Sequence, residues 1–223
     1  MTSPLRVLLT GFGPFPGAPF NPTMPLVNRL IKLRRPALSD VALTSHIFHV
    51  TYATVDRELP ELLAKHRPHA LLMFGLASRT PYLRIETRAR NAVTTIWPDA
   101  DRTRVRKRSI AGTADARLFG PHTLKLLRAA QAIGIDARAS RDAGSYLCNY
   151  LCWRAIEATR ARHDPEKWGP VFGQDHAETE HAPRLAAFVH VPPLARDGSA
   201  FRRNSGRITL DHLVDAGEAM LLE

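Results

Sequence analysis

Short apolar runs alternate with segments of helical periodicity along most of this chain, and that order restricts the fold more than any other feature. Such alternation is typical of strands joined by crossover helices. It predicts an α/β protein, a three-layer α/β/α sandwich around a mixed, mostly parallel twisted sheet. We interpret all 223 residues as a single domain, with a surface insertion at residues 163–183. The predicted strands are residues 6–11, 41–50, 70–75, 83–90, 135–140 and 185–191, and the predicted helices are residues 23–34, 56–66, 121–133, 144–162 and 209–222.

Loop segments rich in glycine, proline or polar residues follow several of these strands. In α/β folds of this kind, functional residues collect at the carboxyl ends of the strands. Four segments are therefore expected to lie at one edge of the sheet. They are residues 12–22, 75–80, 144–148 and 190–193.

One of the two cysteines stands where a helix is predicted to begin. Cys148 lies in the sequence GSYLCN at residues 144–149. Backbone N–H groups in a first helical turn lack intrahelical partners, and the helix dipole is positive there. Such a position favours the thiolate, which is the reactive form of cysteine. Cys148 is therefore a candidate nucleophile, although a free cysteine can equally be a small buried hydrophobe.

The spacing of the cysteines also bears on the cellular compartment. Cys152 is only four residues beyond Cys148 on the same predicted helix, which makes a structural disulfide implausible. A reducing cytoplasm fits this cysteine usage. No apolar run approaches the ~20 residues of a membrane helix, and the run at the amino terminus is too short for a signal peptide. We therefore expect a cytoplasmic protein with no membrane partner.

A thiolate nucleophile needs a base that also protonates the leaving group, and the base needs an orienting group. Of the ten histidines, His190 is the best placed, because it stands near the end of an apolar strand in FVHVP, residues 188–192. The alternative interpretation is a buried core histidine whose ring nitrogens are satisfied.

A carboxylate is the expected third member of such a group. Glu86 lies on the polar side of the predicted strand at residues 83–90, where its neighbours are arginines. It can hold the imidazole and stabilise its charged form. Alternatively, it forms an ion pair with Arg84, Arg88 or Arg90, which contributes little if the pair is exposed.

The net charge of +10, from 31 Lys+Arg and 21 Asp+Glu, raises the question of a polyanionic partner. Part of the excess lies in residues 102–108, where basic side chains are crowded. No aromatic residues are interleaved with them to stack on bases, so a solvated loop is the better interpretation. Nucleic acid is not an expected partner.

Four motifs, in order along most of the chain, resemble those of the pyroglutamyl peptidase I (pyrrolidone-carboxylate peptidase) family. Its members are cysteine enzymes that remove an N-terminal pyroglutamate from peptides. The motifs are LLTGFGPF at residues 8–15 followed by NP at 21–22, IE at 85–86 with Asn91 five residues beyond Glu86, AGSYLCN at 143–149, and FVHVP at 188–192.

This resemblance implies that Cys148 is the nucleophile, His190 the acid and base, and Glu86 its orienting partner. It also implies an aromatic pocket for the flat lactam ring of pyroglutamate, which stacking would favour. The implied pocket residues are Phe12, Phe15, Asn21 and Tyr146. The family fold is an α/β/α sandwich, often assembled as a homotetramer, and its chemistry requires no metal or organic cofactor. The implied partners are a peptide or small amide substrate and further copies of the chain.

The chain departs from the family pattern at two places. After the third strand the family has GQAGGR, whereas residues 75–80 are GLASRT, so that Leu76 replaces a polar glutamine. The family also has an arginine that helps bind the oxyanion, and Ile96 stands in its place within TTIWPD, residues 94–99. Losing one oxyanion donor typically lowers the rate about 100- to 1000-fold. Backbone N–H groups near Cys148 are a possible substitute, as are three arginines, Arg79, Arg84 and Arg88.

Three functions remain open at this point. The first is a pyroglutamyl-peptidase-like cysteine hydrolase, and the second keeps the same three residues but acts on a different amide. The third is a binding protein without catalysis, which could use residues 102–108 for polyanions. A metal site at residues 176–181 (HAETEH) is not expected, because the spacing fits no standard ligand set and a solvated acidic loop explains it.

Overall fold

The computed structural model describes residues 3–15, 17–112, 114–161, 183–194 and 208–223. Strands and helices alternate over most of this part of the chain. The strands are β1 (Leu5–Phe12), β2 (Val41–Phe48), β3 (Ala70–Leu76), β4 (Leu83–Glu86), β5 (Arg88–Arg90), β6 (Ala116–Leu118), β7 (Ala137–Ser140) and β8 (Leu185–Val191). The α-helices are α1 (Thr23–Leu30), α2 (Tyr52–His66), α3 (His122–Ala132), α4 (Leu147–Ala161) and α5 (Leu210–Leu221).

Six strands form the central sheet in the order β2-β1-β3-β8-β4-β7. All neighbours are parallel except β4 and β8, which are antiparallel. The parallel strands are buried on both faces, which explains why β1, β3 and β8 are nearly continuous apolar runs in the sequence. The predicted mixed, mostly parallel sheet is confirmed.

Helices cover both faces of this sheet, and successive residues of each strand contribute to opposite sides of the core. On one side, Leu8 and Met73 pack with residues of α2 and α4. On the other side, Leu9 and Leu72 pack with residues of α1, α3 and α5. The predicted three-layer sandwich in one domain is therefore present.

The predicted strand at residues 83–90 is wrong as a single element. It is two strands, because the chain leaves the central sheet at Thr87, whose backbone N–H and hydroxyl both donate to the carbonyl of Ser140. Beyond it, β5 pairs with β6 in a separate antiparallel sheet. The sequence pattern did not reveal β6, because three residues carry no measurable periodicity.

The helix predicted at residues 56–66 begins earlier, at Tyr52, because the Thr51 hydroxyl accepts a hydrogen bond from the Thr54 N–H and caps it. Pro60 lies inside this helix. The predicted helix at residues 23–34 ends at Leu30. The predicted insertion at residues 163–183 lies outside the described residues apart from Pro183.

Within the described part of the chain, no helix combines the length and the hydrophobicity that crossing a membrane requires. The basic segment at residues 102–108 is an exposed loop in which only Val105 is partly buried. This exposure agrees with its interpretation as a solvated loop.

Candidate active site

The site lies beside the carboxyl ends of β3 and β8. His190 on β8 is in register with Gly75 on β3 and with Arg84 on β4. Because β4 is antiparallel to β8, Glu86 is level with Phe188, two residues before the histidine. Residues two apart on a strand face the same side of the sheet, so this register brings Glu86 and His190 onto neighbouring positions of one face.

Cys148 reaches the site in a way that the sequence analysis did not foresee. The expectation that residues 144–148 follow a strand ending at the same edge is wrong, because β7 runs antiparallel to β8. However, β7 is short and ends at Ser140, level with Glu86. The turn after Ser140 therefore starts close to the histidine, and Cys148 lies in the first turn of α4 as predicted.

The three residues predicted to be catalytic meet at this point. His190 Nδ1 lies 2.8 Å from Glu86 Oε1, and both side chains are buried. Burial by itself lowers the pKa of His190, but the charge and hydrogen bond of Cys148, followed by those of Glu86, raise it to about 9. The imidazole is therefore buried, as expected of a core histidine, and it also lies between a carboxylate and a thiol, as expected of a catalytic base. The two interpretations of His190 are compatible.

The sulfur of Cys148 lies close to the backbone of Gly75. A Cβ atom placed on Gly75 would lie 2.8 Å from Cys148 Sγ and 2.5 Å from Phe188 Cζ. Only glycine leaves room for both groups at this end of β3. The turn before the nucleophile also depends on glycine, because Gly144 has a φ of +85°.

Arginines from β4 and β5 hold the turn that precedes Cys148. Arg84 Nη2 donates to Ser140 Oγ at 2.7 Å and to the Asp142 carbonyl, and it also lies 3.0 Å from Glu86 Oε1. Arg90 Nη2 donates to the Gly144 carbonyl at 3.1 Å. Glu86 therefore makes the arginine ion pair and the histidine hydrogen bond at the same oxygen.

These contacts bear on the arginine substitutes suggested for the oxyanion. Arg88 Nε donates to the Arg141 carbonyl at 2.7 Å, and Arg84 is engaged as described above. Both side chains therefore bind the turn before the nucleophile. Arg79 lies exposed in the loop after β3.

The predicted aromatic pair is present at the mouth of the site. The ring centroids of Phe15 and Tyr146 are 6.3 Å apart with an interplanar angle of 44°. A planar ligand between two rings needs about 7 Å, since each contact distance is at least ~3.5 Å. A flat ring could therefore enter with a small separation and rotation of these two side chains.

Phe12 and Asn21 lie close in the chain to Phe15, and their contacts are internal. Phe12 is 2% exposed and packs against Phe48 in the core. The Asn21 amide donates to the Gly13 carbonyl at 3.1 Å, and its oxygen accepts from the Thr23 N–H at 3.1 Å. These contacts anchor the loop that carries Phe15, and the part that both residues play in the lactam pocket stays a prediction.

The two departures from the family pattern lie in separate places. Leu76 is half-buried at the end of β3, and because side chains alternate along a strand it faces the side of the sheet opposite Gly75 and Cys148. Ile96 is 70% exposed and Trp97 is 67% exposed. Their loop is tied to the nucleophile turn, because the Thr94 N–H donates to the Ser145 carbonyl at 2.6 Å and the Tyr146 hydroxyl donates to the Pro98 carbonyl at 2.8 Å.

Two residues at the site escaped the sequence analysis. Asn149 is fully buried, and its side chain bonds the backbone N–H and carbonyl of Arg90, which fixes β5 against α4. Its position directly after Cys148 in the motif was the available signal. Tyr52 packs edge-on against Tyr146 with centroids 6.1 Å apart. Periodicity gave no signal for it, since it lies ahead of the predicted helix.

No group of three or more His, Cys, Asp or Glu side chains that could hold a metal ion occurs among the described residues. The sequence HAETEH at residues 176–181 lies outside them.

The fold and the site define an α/β protein in which a thiol, an imidazole and a buried carboxylate meet, a combination suited to nucleophilic chemistry. The profile of the family described as pyroglutamyl peptidase matches residues 5–172. The chain therefore belongs to the pyroglutamyl peptidase family.

Individual relatives agree with this assignment. A pyrrolidone-carboxylate peptidase of Vibrio vulnificus is 27% identical over 218 residues, covering 97% of this chain and 91% of the relative. One from Pyrococcus furiosus is 26% identical over 189 residues, covering 84% and 81%. The crystal structure of pyrrolidone carboxyl peptidase from Fervidobacterium islandicum has a TM-score of 0.76 and 26% identity, with 97% and 96% covered. Family membership supports a peptidase with a pyroglutamyl-peptidase-like function.

Proposed function

We propose that this protein is a cysteine omega-peptidase that hydrolyses the amide bond after an N-terminal pyroglutamyl residue, with Cys148, His190 and Glu86 as its catalytic residues. The observation that carries the proposal is the position of the His190 ring, which is hydrogen-bonded to the Glu86 carboxylate at 2.8 Å and has Cys148 as its other polar neighbour. This is the sequence of orienting group, base and nucleophile that acyl transfer needs.

In the first half of the reaction, the Cys148 thiol passes its proton to His190, and Sγ attacks the carbonyl carbon that joins the pyroglutamyl ring to the next residue. The tetrahedral intermediate collapses, the C–N bond breaks, and His190 gives its proton to the departing amine. In the second half, His190 takes a proton from water as the water oxygen attacks the thioester carbonyl. The C–S bond then breaks, which releases pyroglutamate and the Cys148 thiolate. Glu86 holds the imidazole in place throughout.

The electrostatics of the site suit the first proton transfer. Because the pKa of His190 is raised to about 9, the ring carries a proton at neutral pH and can donate it as the amine leaves. The paired aromatic rings of Phe15 and Tyr146 supply apolar contact for the lactam and leave its edge free for hydrogen bonds.

Turnover of a pyroglutamyl fluorogenic amide tests this proposal when the wild type is compared with two cysteine variants. Cys148→Ala should lose at least about 1000-fold in kcat. Cys152→Ala is the matched control, because this thiol is fully buried and burial raises its pKa, so it should keep its activity. Equal turnover by wild type and Cys148→Ala would remove Cys148 from the mechanism.

A second candidate keeps the same residues but acts on a different amide. It is favoured by Ile96, which is exposed at the pocket rim where the family carries an arginine. Alkylation of Cys148 by iodoacetamide across pH separates the two candidates. Rapid reaction below about pH 8 without pyroglutamyl cleavage would favour the different substrate. An unreactive Cys148 would favour a binding protein without catalysis.

Assembly as a homotetramer and a cytoplasmic location stay predictions. Sedimentation of the purified chain at several concentrations would test the first of them.

A further inference from the structure

Tyr52 has a buried hydroxyl that finds no hydrogen-bond partner in the part of the chain that the structure describes. It is the first residue of α2, following the Thr51 cap, and it is 7% exposed. Among the described residues, nothing forms a hydrogen bond with its hydroxyl. Leaving a buried polar group unpaired is costly, so a hydroxyl of this kind calls for an explanation.

The surroundings of Tyr52 are those of the pocket. Its ring packs edge-on against Tyr146, which in turn faces Phe15. Burial raises the pKa of the Tyr52 phenol, and negative charge on its neighbours, which include Asp99 and Cys148, raises it further. The hydroxyl therefore keeps its proton, and its ring lies against Tyr146, two residues before Cys148 in the chain.

Two neighbouring tyrosines show what satisfied hydroxyls look like here. The Tyr146 hydroxyl donates to the Pro98 carbonyl at 2.8 Å. The Tyr150 hydroxyl contacts both the Asp56 carboxylate and Arg154 Nη2 at 2.8 Å. Tyr52 shares their aromatic packing, with its ring 5.0 Å from that of Tyr150, but it lacks their hydrogen bonds within the described structure.

We propose that Tyr52 is a specificity-determining residue, whose hydroxyl donates a hydrogen bond to the ring carbonyl of a five-membered lactam bound between Phe15 and Tyr146. The inference rests on the proposed function, because it takes the pyroglutamyl ring as the occupant of the pocket. A protonated phenol is a donor, and a lactam carbonyl is a strong acceptor.

The substitution Tyr52→Phe removes the hydroxyl and keeps the ring. We expect kcat/KM for the pyroglutamyl amide to fall about 10-fold, mainly through KM, as the loss of one neutral hydrogen bond predicts. The midpoint of thermal unfolding should stay the same or rise, because an unpaired buried group is removed. Tyr150→Phe is the matched control, and it should lower the unfolding midpoint while leaving KM unchanged.

A second measurement needs no turnover. The rate of Cys148 alkylation by iodoacetamide is followed in the presence of 2-pyrrolidone or cyclopentanone, which carry the ring carbonyl with and without the N–H. Both compounds should slow the alkylation of wild type. For Tyr52→Phe, about a 10-fold higher concentration of either compound should be needed for the same protection. If only 2-pyrrolidone loses affinity, the hydroxyl contacts the N–H instead, and the proposed donor role is wrong.

The outcomes separate the inference from the function on which it rests. Equal protection of wild type and Tyr52→Phe, with wild-type cleavage intact, overturns the role of Tyr52 alone. Hydroxyl-dependent protection without pyroglutamyl cleavage retains the lactam site and overturns the peptidase proposal. Absence of protection in wild type overturns the lactam site itself.

Discussion

The interior of the site and its rim differ in how closely they follow the family pattern. In the interior, Glu86 and His190 are buried and joined by a 2.8 Å hydrogen bond, and Cys148 lies against Gly75. At the rim, Ile96 and Trp97 expose large apolar side chains. A nucleophile and its base tolerate little displacement, whereas a rim can change with the substrate. From this comparison we expect substitutions in the interior to affect the proposed reaction itself and substitutions at the rim to affect recognition of the substrate.

The largest effect is expected from a substitution in the interior of the site. Glu86→Gln replaces the carboxylate by a neutral amide of the same shape, so the His190 ring loses the negative charge that stabilises its protonated form. We expect kcat to fall about 10⁴-fold with little change in KM. Steady-state kinetics on the pyroglutamyl amide measure this, with circular dichroism as the control for folding. Near wild-type turnover would mean that Glu86 serves only its ion pair with Arg84.

The next largest effect is expected from a substitution at the rim that restores the arginine of the family pattern. Ile96→Arg returns a cation to the position where the family carries one, and an oxyanion donor is worth about 100-fold in rate. We expect kcat for pyroglutamyl cleavage to rise by about this factor. Trp97→Arg is the matched control, since it adds the same charge one residue away. A gain of equal size in both variants would point to general attraction by charge, and no gain in either would favour a different natural substrate.

A smaller effect concerns the support of the interior. Arg84→Met removes the contacts with Glu86 and with the turn before Cys148, and we expect kcat to fall about 10-fold. Arg88→Met removes a contact with the same turn, at the Arg141 carbonyl, and leaves the Glu86 ion pair in place. If Arg84→Lys keeps the wild-type kcat, the loss in Arg84→Met is due to the missing positive charge. Equal losses in Arg84→Met and Arg88→Met would assign it to the turn.

The smallest expected effect is a displacement along the pH axis. Burial lowers the pKa of His190, and the raised value of about 9 depends first on Cys148. The alkaline limb of kcat/KM should therefore lie near pH 9 in wild type. The proton NMR titration of His190 in Cys148→Ala should have its midpoint at a lower pH. An unchanged midpoint would show that the thiol does not raise the pKa.

The same shift has a consequence for stability. A histidine whose pKa is raised on folding stabilises the folded state fully below its unfolded pKa of about 6.5 and loses that contribution as pH rises through about 9. The free energy of unfolding of wild type relative to His190→Asn should therefore decrease across this range. A difference that stays constant with pH would contradict the raised pKa.

The amino-acid sequence by itself determined the layers of the fold and the identity of the three central residues. Buried parallel strands leave continuous apolar runs such as β3, and amphipathic helices leave a 3.6-residue period, so both are visible in one dimension. The motifs around Cys148 and His190 are short, continuous stretches of sequence, so they are visible in one dimension as well.

Only the tertiary structure decided what depends on contacts between distant segments. The break at Thr87, the direction of β4 and β7 opposite to that of the other four strands, and the burial of Phe12 follow from pairing and packing across the fold. The lack of a hydrogen-bond partner for the Tyr52 hydroxyl among the described residues also depends on how distant segments pack. Local sequence patterns report the preferences of neighbouring residues, but whether a polar atom finds a partner depends on what the rest of the chain brings to it.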